Sequence, residues 1–383
     1  MMKVRLFFML VLFCGCAFIA FSQSQTSDHI VISAIHDSDG NAISVIPVDG
    51  STCMLTFSLV GGQDNAERLY TAYNLDVRLP YGMEVCHENG VPLVSLPDDF
   101  SLYASGIGSL SHSLSASVLS NGNVRIACFS GRNANLTKTA GDMFQMPVRI
   151  ASPYVCPGTH EICITGQNLT VKENAQKFVP ADRSETIAIA EGEAGLKLVI
   201  SAETCFSTCV LPFDANVPEG VKAFSCSEYS GETVYLHKVT DLQAFTPYIL
   251  YAPLGYSGTL TGTLSAEAYR QKVTDGIVRA GYLSGAVTPQ TITAGFVLQQ
   301  LEQGLKFYFT DGESFLIPSG KCWLELTKSN ARALSFQMVD TEAGVAGPFA
   351  AEEADDVLYD LSGRRIKRAW RGVYIQNNRK VIK

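Results

Sequence analysis

Residues 113–129 read SLSASVLSNGNVRIACF, and this stretch decides the fold class. Val124, Ile126 and Cys128 alternate with Arg125, Ala127 and Phe129, the two-residue period of a strand with one buried face. Asn121-Gly122 separates this run from Ser113–Leu119. Asn-Gly between alternating runs is the strongest short hairpin signal, because both residues tolerate positive φ. Runs of the same kind lie on either side: Ile30–Ile35, Ala42–Val48, Cys53–Val60 and Leu75–Leu79 before it, Met143–Ile150 and Glu161–Ile164 after it. Leu79 is followed by Pro80-Tyr81-Gly82, a turn. Many short strands punctuated in this way predict a β-sandwich over residues 28–190.

The second half continues in the same manner. Leu196–Ile200, Val221–Cys226, Glu232–Leu236, Pro247–Tyr251 and Gly258–Leu264 are strand-like, and Ala266–Val273 suits one or two helical turns. Gly295–Leu301 and Leu305–Phe309 flank Glu302-Gln303-Gly304 as a hairpin. Pro318-Ser319-Gly320-Lys321 is a tight turn joining Ser314–Ile317 to Cys322–Leu326. This gives an all-β chain with a second antiparallel β domain over 195–340, the polar segment Glu185–Ala194 as its boundary, and an acidic, Ala- and Gly-rich linker over 341–356.

Val357–Lys383 predicts a short C-terminal β-meander. Val357, Tyr359 and Leu361 share a strand period, Ser362-Gly363 is a turn, and Asn377-Asn378 suits a hairpin between Gly372–Ile375 and Lys380–Ile382. From Gly363 onward the tail carries eight basic residues and no acid. A solvated basic face is the plain reading of such a run.

At the other end, residues 1–22 have the layout of a secretory signal peptide. Lys3 and Arg5 precede the apolar run Leu6–Ala20, and Ala20-Phe21-Ser22 is a small-x-small site that places cleavage between Ser22 and Gln23. The run is about 15 residues, short of the ~20 that span a bilayer as a helix, and no other stretch is long and apolar enough. A lipoprotein signal using Cys16 is the other reading, with Phe13-Cys14-Gly15 a poor match to the motif it requires. Loss of Lys3 and Arg5 takes the formal charge from −8 to −10, and setting aside the eight tail cations leaves −18 on residues 23–362. So acidic a body excludes a nucleic-acid partner, which needs Lys and Arg against phosphates.

Nine cysteines follow the leader: 53, 86, 128, 156, 163, 205, 209, 226 and 322. An odd count leaves at least one unpaired, and small buried core residues are the plain reading. Cys156 and Cys163 are the best placed for a disulfide, because Pro157-Gly158 can turn the chain between them. Cys-x-x-Cys is absent, so a zinc site has little support. Asp37-Ser38-Asp39-Gly40-Asn41 has half the oxygens of a calcium loop and is more simply a hairpin turn. No metal and no cofactor are implied.

For catalysis, G-x-S-x-G, H-E-x-x-H, a P-loop and a G-x-G-x-x-G between strand and helix are all missing, and the six histidines stand alone in sequence. The chain reads as a non-enzyme. A glycosidase needs only two carboxylates, so that reading stays open as the least favoured one. Glycan binding would need exposed rings to stack on pyranose faces, and in the first half Tyr70, Tyr73, Tyr81, Phe100 and Tyr103 supply the rings; Tyr70, Tyr73 and Tyr103 are the ligand-binding candidates. Tyrosines packed at strand ends with wet hydroxyls are the plainer alternative.

Three resemblances add to this. Asn74–Pro80, Gly122–Ile126, Gly141–Phe144 and Gly158–Ile162 form a pattern of strands and glycines that resembles the cohesin-type sandwich, a fold shared with several cellulose-binding modules. It implies a non-catalytic module contacting polysaccharide or another surface protein. A purely structural or adhesive role is the alternative. Leu211-Pro212-Phe213, Pro218–Ala223, Pro247–Leu250 and Ile317–Lys321 are similar to a module common in large secreted bacterial proteins. The tail, in Tyr359, Asp360, Leu361, Gly363, Arg364, Gly372, Val373, Tyr374, Ile375 and Lys380, resembles the end of the C-terminal sorting domains of the Por-type (type IX) secretion family. This implies a secreted or cell-surface protein of a Gram-negative bacterium, with the secretion machinery as a partner of the tail.

Overall fold

The computed structural model describes residues 28–61, 69–99, 102–106, 109–171, 176–326 and 331–339, together with four short strands in the tail. The signal-peptide reading and the 341–356 linker lie outside the described residues. The chain is all-β, with one helix, α1 (Ala266–Lys272), among the described residues.

Besides five two-residue ones, ten strands form the body of the first half among the described residues: β1 (His29–His36), β2 (Val45–Ile46), β3 (Cys53–Val60), β4 (Tyr70–Arg78), β5 (Met83–Val85), β6 (Ser113–Val118), β7 (Val124–Phe129), β8 (Gly141–Ile150), β9 (Gly158–Val171) and β10 (Arg183–Ile189). They form two sheets, ordered β1-β3-β8-β5 and β6-β7-β4-β9-β10-β2. Alternation turns Leu55, Phe57 and Leu59 of β3 and Met146 and Val148 of β8 towards Leu75 and Val77 of β4, Ile126 of β7 and Ile164 of β9. All of these are buried, and the two sheets close on them as a sandwich. Phe57 and Phe144 stack at its centre with ring centroids 4.5 Å apart and planes within 10°. The β6–β7 hairpin has the expected register, Ser113↔Phe129 through Val118↔Val124. Gly122 takes φ +84° in its turn and donates to Leu119 O at 2.9 Å.

Two expectations change here. Ala42–Val48 keeps only β2, which pairs in parallel with β10. The turn before it is an Asx turn: Asp37 Oδ1 accepts from the N–H of Asp39 at 2.9 Å and of Asn41 at 2.8 Å, so this carboxylate closes a hairpin. Glu185–Ala194, read as a polar boundary segment, is mostly strand, broken only at 190–191. Its Ile187 and Ile189 alternate into the core on β10, and Gly192 already begins the next strand.

That next strand, Gly192–Ile200, pairs along its length with Tyr256–Leu264. Gly262 matters in this hairpin, because a Cβ there would lie 2.5 Å from the Phe213 ring. Phe213 thereby reaches the same buried cluster as the sandwich residues, joined by Ala194 and Leu264. Ten further strands form one sheet in the order Phe206–Val210, Pro247–Tyr251, Lys222–Ser230, Thr233–Val239, Ala333–Val339, Gly304–Phe309, Phe296–Leu301, Cys322–Leu324, Leu283–Ala286, Ile277–Ala280. It is antiparallel except where Thr233–Val239 runs parallel to Ala333–Val339. The 318–321 turn is present, but its flanking strands part. Phe315–Ile317 pairs with Gln290–Ile292, and Cys322–Leu324 with Leu283–Ala286. In the tail, Leu358–Tyr359 lies between Arg365–Ile366 and Val373–Gln376, and Gln376↔Arg379 closes the hairpin that Asn377-Asn378 predicts. Asp360, Leu361, Gly363, Arg364 and Gly372 of the sorting-like motif lie outside the described residues.

Candidate functional site

The three ligand-binding candidates, Tyr70, Tyr73 and Tyr103, are core residues, whereas Tyr81 is 43% exposed and Phe100 lies outside the described residues. Tyr73 is 2% exposed, because alternation along β4 places it on the inner face with Leu75 and Val77. Its hydroxyl lies 2.9 Å from that of Tyr103, which donates to Met143 O. Tyr103 is 3% exposed, and Tyr70 is fully buried with its hydroxyl on Asp28. Burial pushes the Tyr73 and Tyr103 hydroxyls far above the usual phenol range. None of the three offers a face to a ligand.

The expected disulfide is also absent. Cys163 Sγ points at the Arg78 guanidinium, 3.0 Å from Nη2, and lies 3.4 Å from Ser184 Oγ, while Cys156 Sγ lies against Pro157 O. Seven residues of extended strand and turn carry the two side chains to different partners. All nine described cysteines are free, and six are buried.

The feature the structure does present is the outer face of the larger sandwich sheet. The residues that point away from the core there are Ser113, Ser115 and Ser117 on β6, then Arg125, Ala127 and Phe129 on β7. Ala72, Asn74 and Asp76 follow on β4, Thr165, Asn168 and Thr170 on β9, and Ser184 and Thr186 on β10. The register aligns them in rows: Ser113↔Phe129↔Ala72↔Thr170, and Ser117↔Arg125↔Asp76↔Thr165. Phe129 is 53% exposed, an uncommon state for a phenyl ring. Arg125 and Asp76 form a two-pronged ion pair, Nε–Oδ1 2.7 Å and Nη2–Oδ2 2.8 Å, which raises the arginine pKa. Beyond it, hydrogen bonding from Ser184 and then Arg78 holds the Cys163 thiol below its usual range. The face is thus nearly neutral and rich in hydroxyl and amide groups, with one ring, Phe129, in its end row beside Ala72 and Ala127.

This face was readable in part. The alternation that buries Val124, Ile126 and Cys128 also sends Arg125, Ala127 and Phe129 outward. Nothing local shows that β4 and β9 extend the same surface, because that pairing joins residues about 90 positions apart. Among the described residues, no group of three or more His, Cys, Asp and Glu could hold a metal ion, and no helix is long and apolar enough to cross a membrane.

No family model matches the chain, and no curated protein matches it. Solved structures overlap it loosely. A cohesin module of a family 33 glycoside hydrolase from Clostridium perfringens is 10% identical, covering 43% of this chain and 97% of the module at a TM-score of 0.31. A type I cohesin in complex with its dockerin, from Clostridium thermocellum, is 14% identical over 38% of this chain and 90% of its own, at 0.26. The major pilin subunit BcpA of Bacillus cereus is 12% identical over 82% of this chain and 69% of its own, at 0.28. Overlaps at these scores carry no argument about function.

Proposed function

We propose that this chain is a secreted or cell-surface, non-enzymatic binding protein that holds another protein against the outer face of β6, β7, β4, β9 and β10. The observation that supports it is the exposed Phe129 beside a field of small hydroxyl and amide side chains. Faces of this kind suit a protein surface: many short hydrogen bonds accompany one desolvated aromatic anchor. A glycan chain would want several rings in a row, and this face has one. Five strands spaced ~4.8 Å apart, each with six residues at ~3.4 Å, cover on the order of 400–500 Å². A standard interface takes ~800 Å² per partner, so loops at the sheet ends complete the contact or the complex is transient. The near-neutral face, on a body carrying −18, gives little electrostatic steering, so association should depend only weakly on salt.

Placing Arg at Ser115 and at Thr165 roughens the face without touching the core. With the full-length chain as bait on proteins from its own cell surface, the wild type should retain a discrete partner that S115R/T165R loses. Equal retention by both would reject the face. The same reading makes residues 28–190 and 195–340 two structural units and residues 357–383 an export address. Fractionation with and without 357–383 tests the address: equal surface delivery of both forms would reject it.

A further inference from the structure

The two halves meet in a cleft of about 390 Å³ beside Arg78, at the end of β4. Its principal walls are Arg78, Tyr81, Tyr154, His160, Glu161 and Tyr269. We propose that this cleft binds a single pyranose unit of a glycan. The proposal does not depend on the sheet face described above.

The rings are unusually well fixed. Tyr81 projects from the Pro80-Tyr81-Gly82 turn and is 43% exposed, yet its hydroxyl is held by Ser319 Oγ of the other half. Gly82, at φ +87°, lets this turn lie against the next segment, since a Cβ there would come within 2.9 Å of Val155 Cβ. Tyr154 lines the cleft from within the core, 5% exposed, and offers no stacking face of its own; it donates its hydroxyl to Val210 O at 2.7 Å, so Tyr81 and Tyr269 are the rings left for a ligand. Tyr269, on α1, is braced edge-on by Phe245 at 5.3 Å. Rings pinned in this way lose little freedom when a ligand stacks on them, which removes a large part of the usual cost of binding.

The polar groups are of mixed sign. Glu161 and Arg78 are exposed and offer an acceptor and a donor. His160 Nε2 lies 2.5 Å from Cys156 O; a carbonyl only accepts, so Nε2 donates there and the ring is fixed beside the cleft. A phosphate site would gather cations and exclude Glu161. A purely apolar ligand would leave the charged rim unpaired. Sugar hydroxyls donate and accept at once, and the C–H face of a pyranose stacks on a ring. At about 390 Å³ the cleft lies near the lower end of the ~300–1,000 Å³ typical of ligand sites, which suits one ring better than a chain.

The test is saturation-transfer NMR on the full chain with the methyl pyranosides of glucose, galactose, mannose and N-acetylglucosamine at millimolar concentration. At least one should receive transfer on its C–H face. Tyr81→Ala should weaken it roughly three- to tenfold, the scale of one aromatic contact. Glu161→Gln, at an exposed position, should weaken it as well, while Tyr81→Phe keeps the ring but releases it from Ser319 and should weaken binding less than Tyr81→Ala does. Phe129→Ala, on the distant sheet face, should change nothing. No transfer to any of the four sugars, or transfer that survives both Tyr81→Ala and Glu161→Gln, would overturn the proposal. If Tyr81→Ala does not fold, Glu161→Gln still decides it.

Discussion

Tyr154 and Gly320 together fasten the two halves of the chain, and their substitution gives a prediction with a defined size. Val210 is fully buried; its N–H donates to Gly320 O at 2.9 Å and its carbonyl accepts the Tyr154 hydroxyl at 2.7 Å. Tyr154→Phe strands that carbonyl, and an unsatisfied buried acceptor costs about 1–3 kcal/mol. Gly320 sits at φ +79°, and a Cβ there would lie 2.2 Å from the Tyr154 hydroxyl and 2.9 Å from its ring carbon. Gly320→Ala therefore adds about 1–2 kcal/mol of left-handed backbone strain to the loss of the same hydrogen bond, roughly 2–5 kcal/mol in all. The two penalties share a cause, so they should not add. With the hydroxyl gone, most of the clash goes too, and G320A/Y154F should cost about 1 kcal/mol or more less than the sum of the single changes. Urea titration of all four proteins, followed by intrinsic fluorescence with m held equal, measures this. Additive effects, or a neutral Tyr154→Phe, would show that the hydroxyl does not support Val210.

Three further outcomes are expected. Phe144→Ala removes half of the central Phe57 stack and should cost about 3–5 kcal/mol in the same titration; a loss under ~1 kcal/mol would mean the core is looser than its burial implies. His112 is buried, with Nε2 donating to Thr71 O at 3.1 Å and Nδ1 taking the Ser111 hydroxyl at 2.8 Å, and burial holds its pKa below 6.5. The unfolded chain then binds the proton more readily, so His112 leaves stability intact above about pH 6.5 and erodes it as pH falls below that; His112→Gln should flatten this acid slope, and an unchanged slope would refute the assignment. Cys163 should be alkylated faster than the buried Cys209, whose thiol burial pushes up to about 12, and Arg78→Gln should slow it; peptide mapping after brief iodoacetamide treatment reads both, and equal labelling of the two cysteines would refute the contrast.

Local chemistry made some elements legible and topology concealed the others. The Asn121-Gly122 turn, the Cys53–Val60 run and the short helix after Ser265 announced themselves, because each is fixed by residues within a few positions. Ser265 caps α1 by accepting from Ala268 N. β9 was seen only over Glu161–Ile164. Its continuation through Gly166, Gln167 and Asn168 carries a register shift and polar residues that hide the strand period. Gln167 is fully buried there, accepting from Ile30 N and donating to Ala181 O, a role visible only once three distant segments are in place. The parallel pairing of Thr233–Val239 with Ala333–Val339 spans about a hundred residues and leaves no local mark. The tyrosine candidates failed for a simpler reason: Tyr73 already shared the period of Leu75 and Val77, and the pattern that identified the strand also identified its buried side. The cleft gathers a turn, a helix and two strands, so Tyr81 was visible as an exposed ring but its setting was not.

The most direct test of the proposed binding face is site-specific photo-crosslinking on the cells that make this protein. A photoreactive phenylalanine at Phe129 probes the face, and one at Leu254, 90% exposed in the second half and not part of that sheet, is the control. The account predicts one discrete heterologous adduct from position 129, none of that mass from 254, and its loss in S115R/T165R. Identical adducts from both positions, or none from 129 while the protein is at the surface, would contradict it.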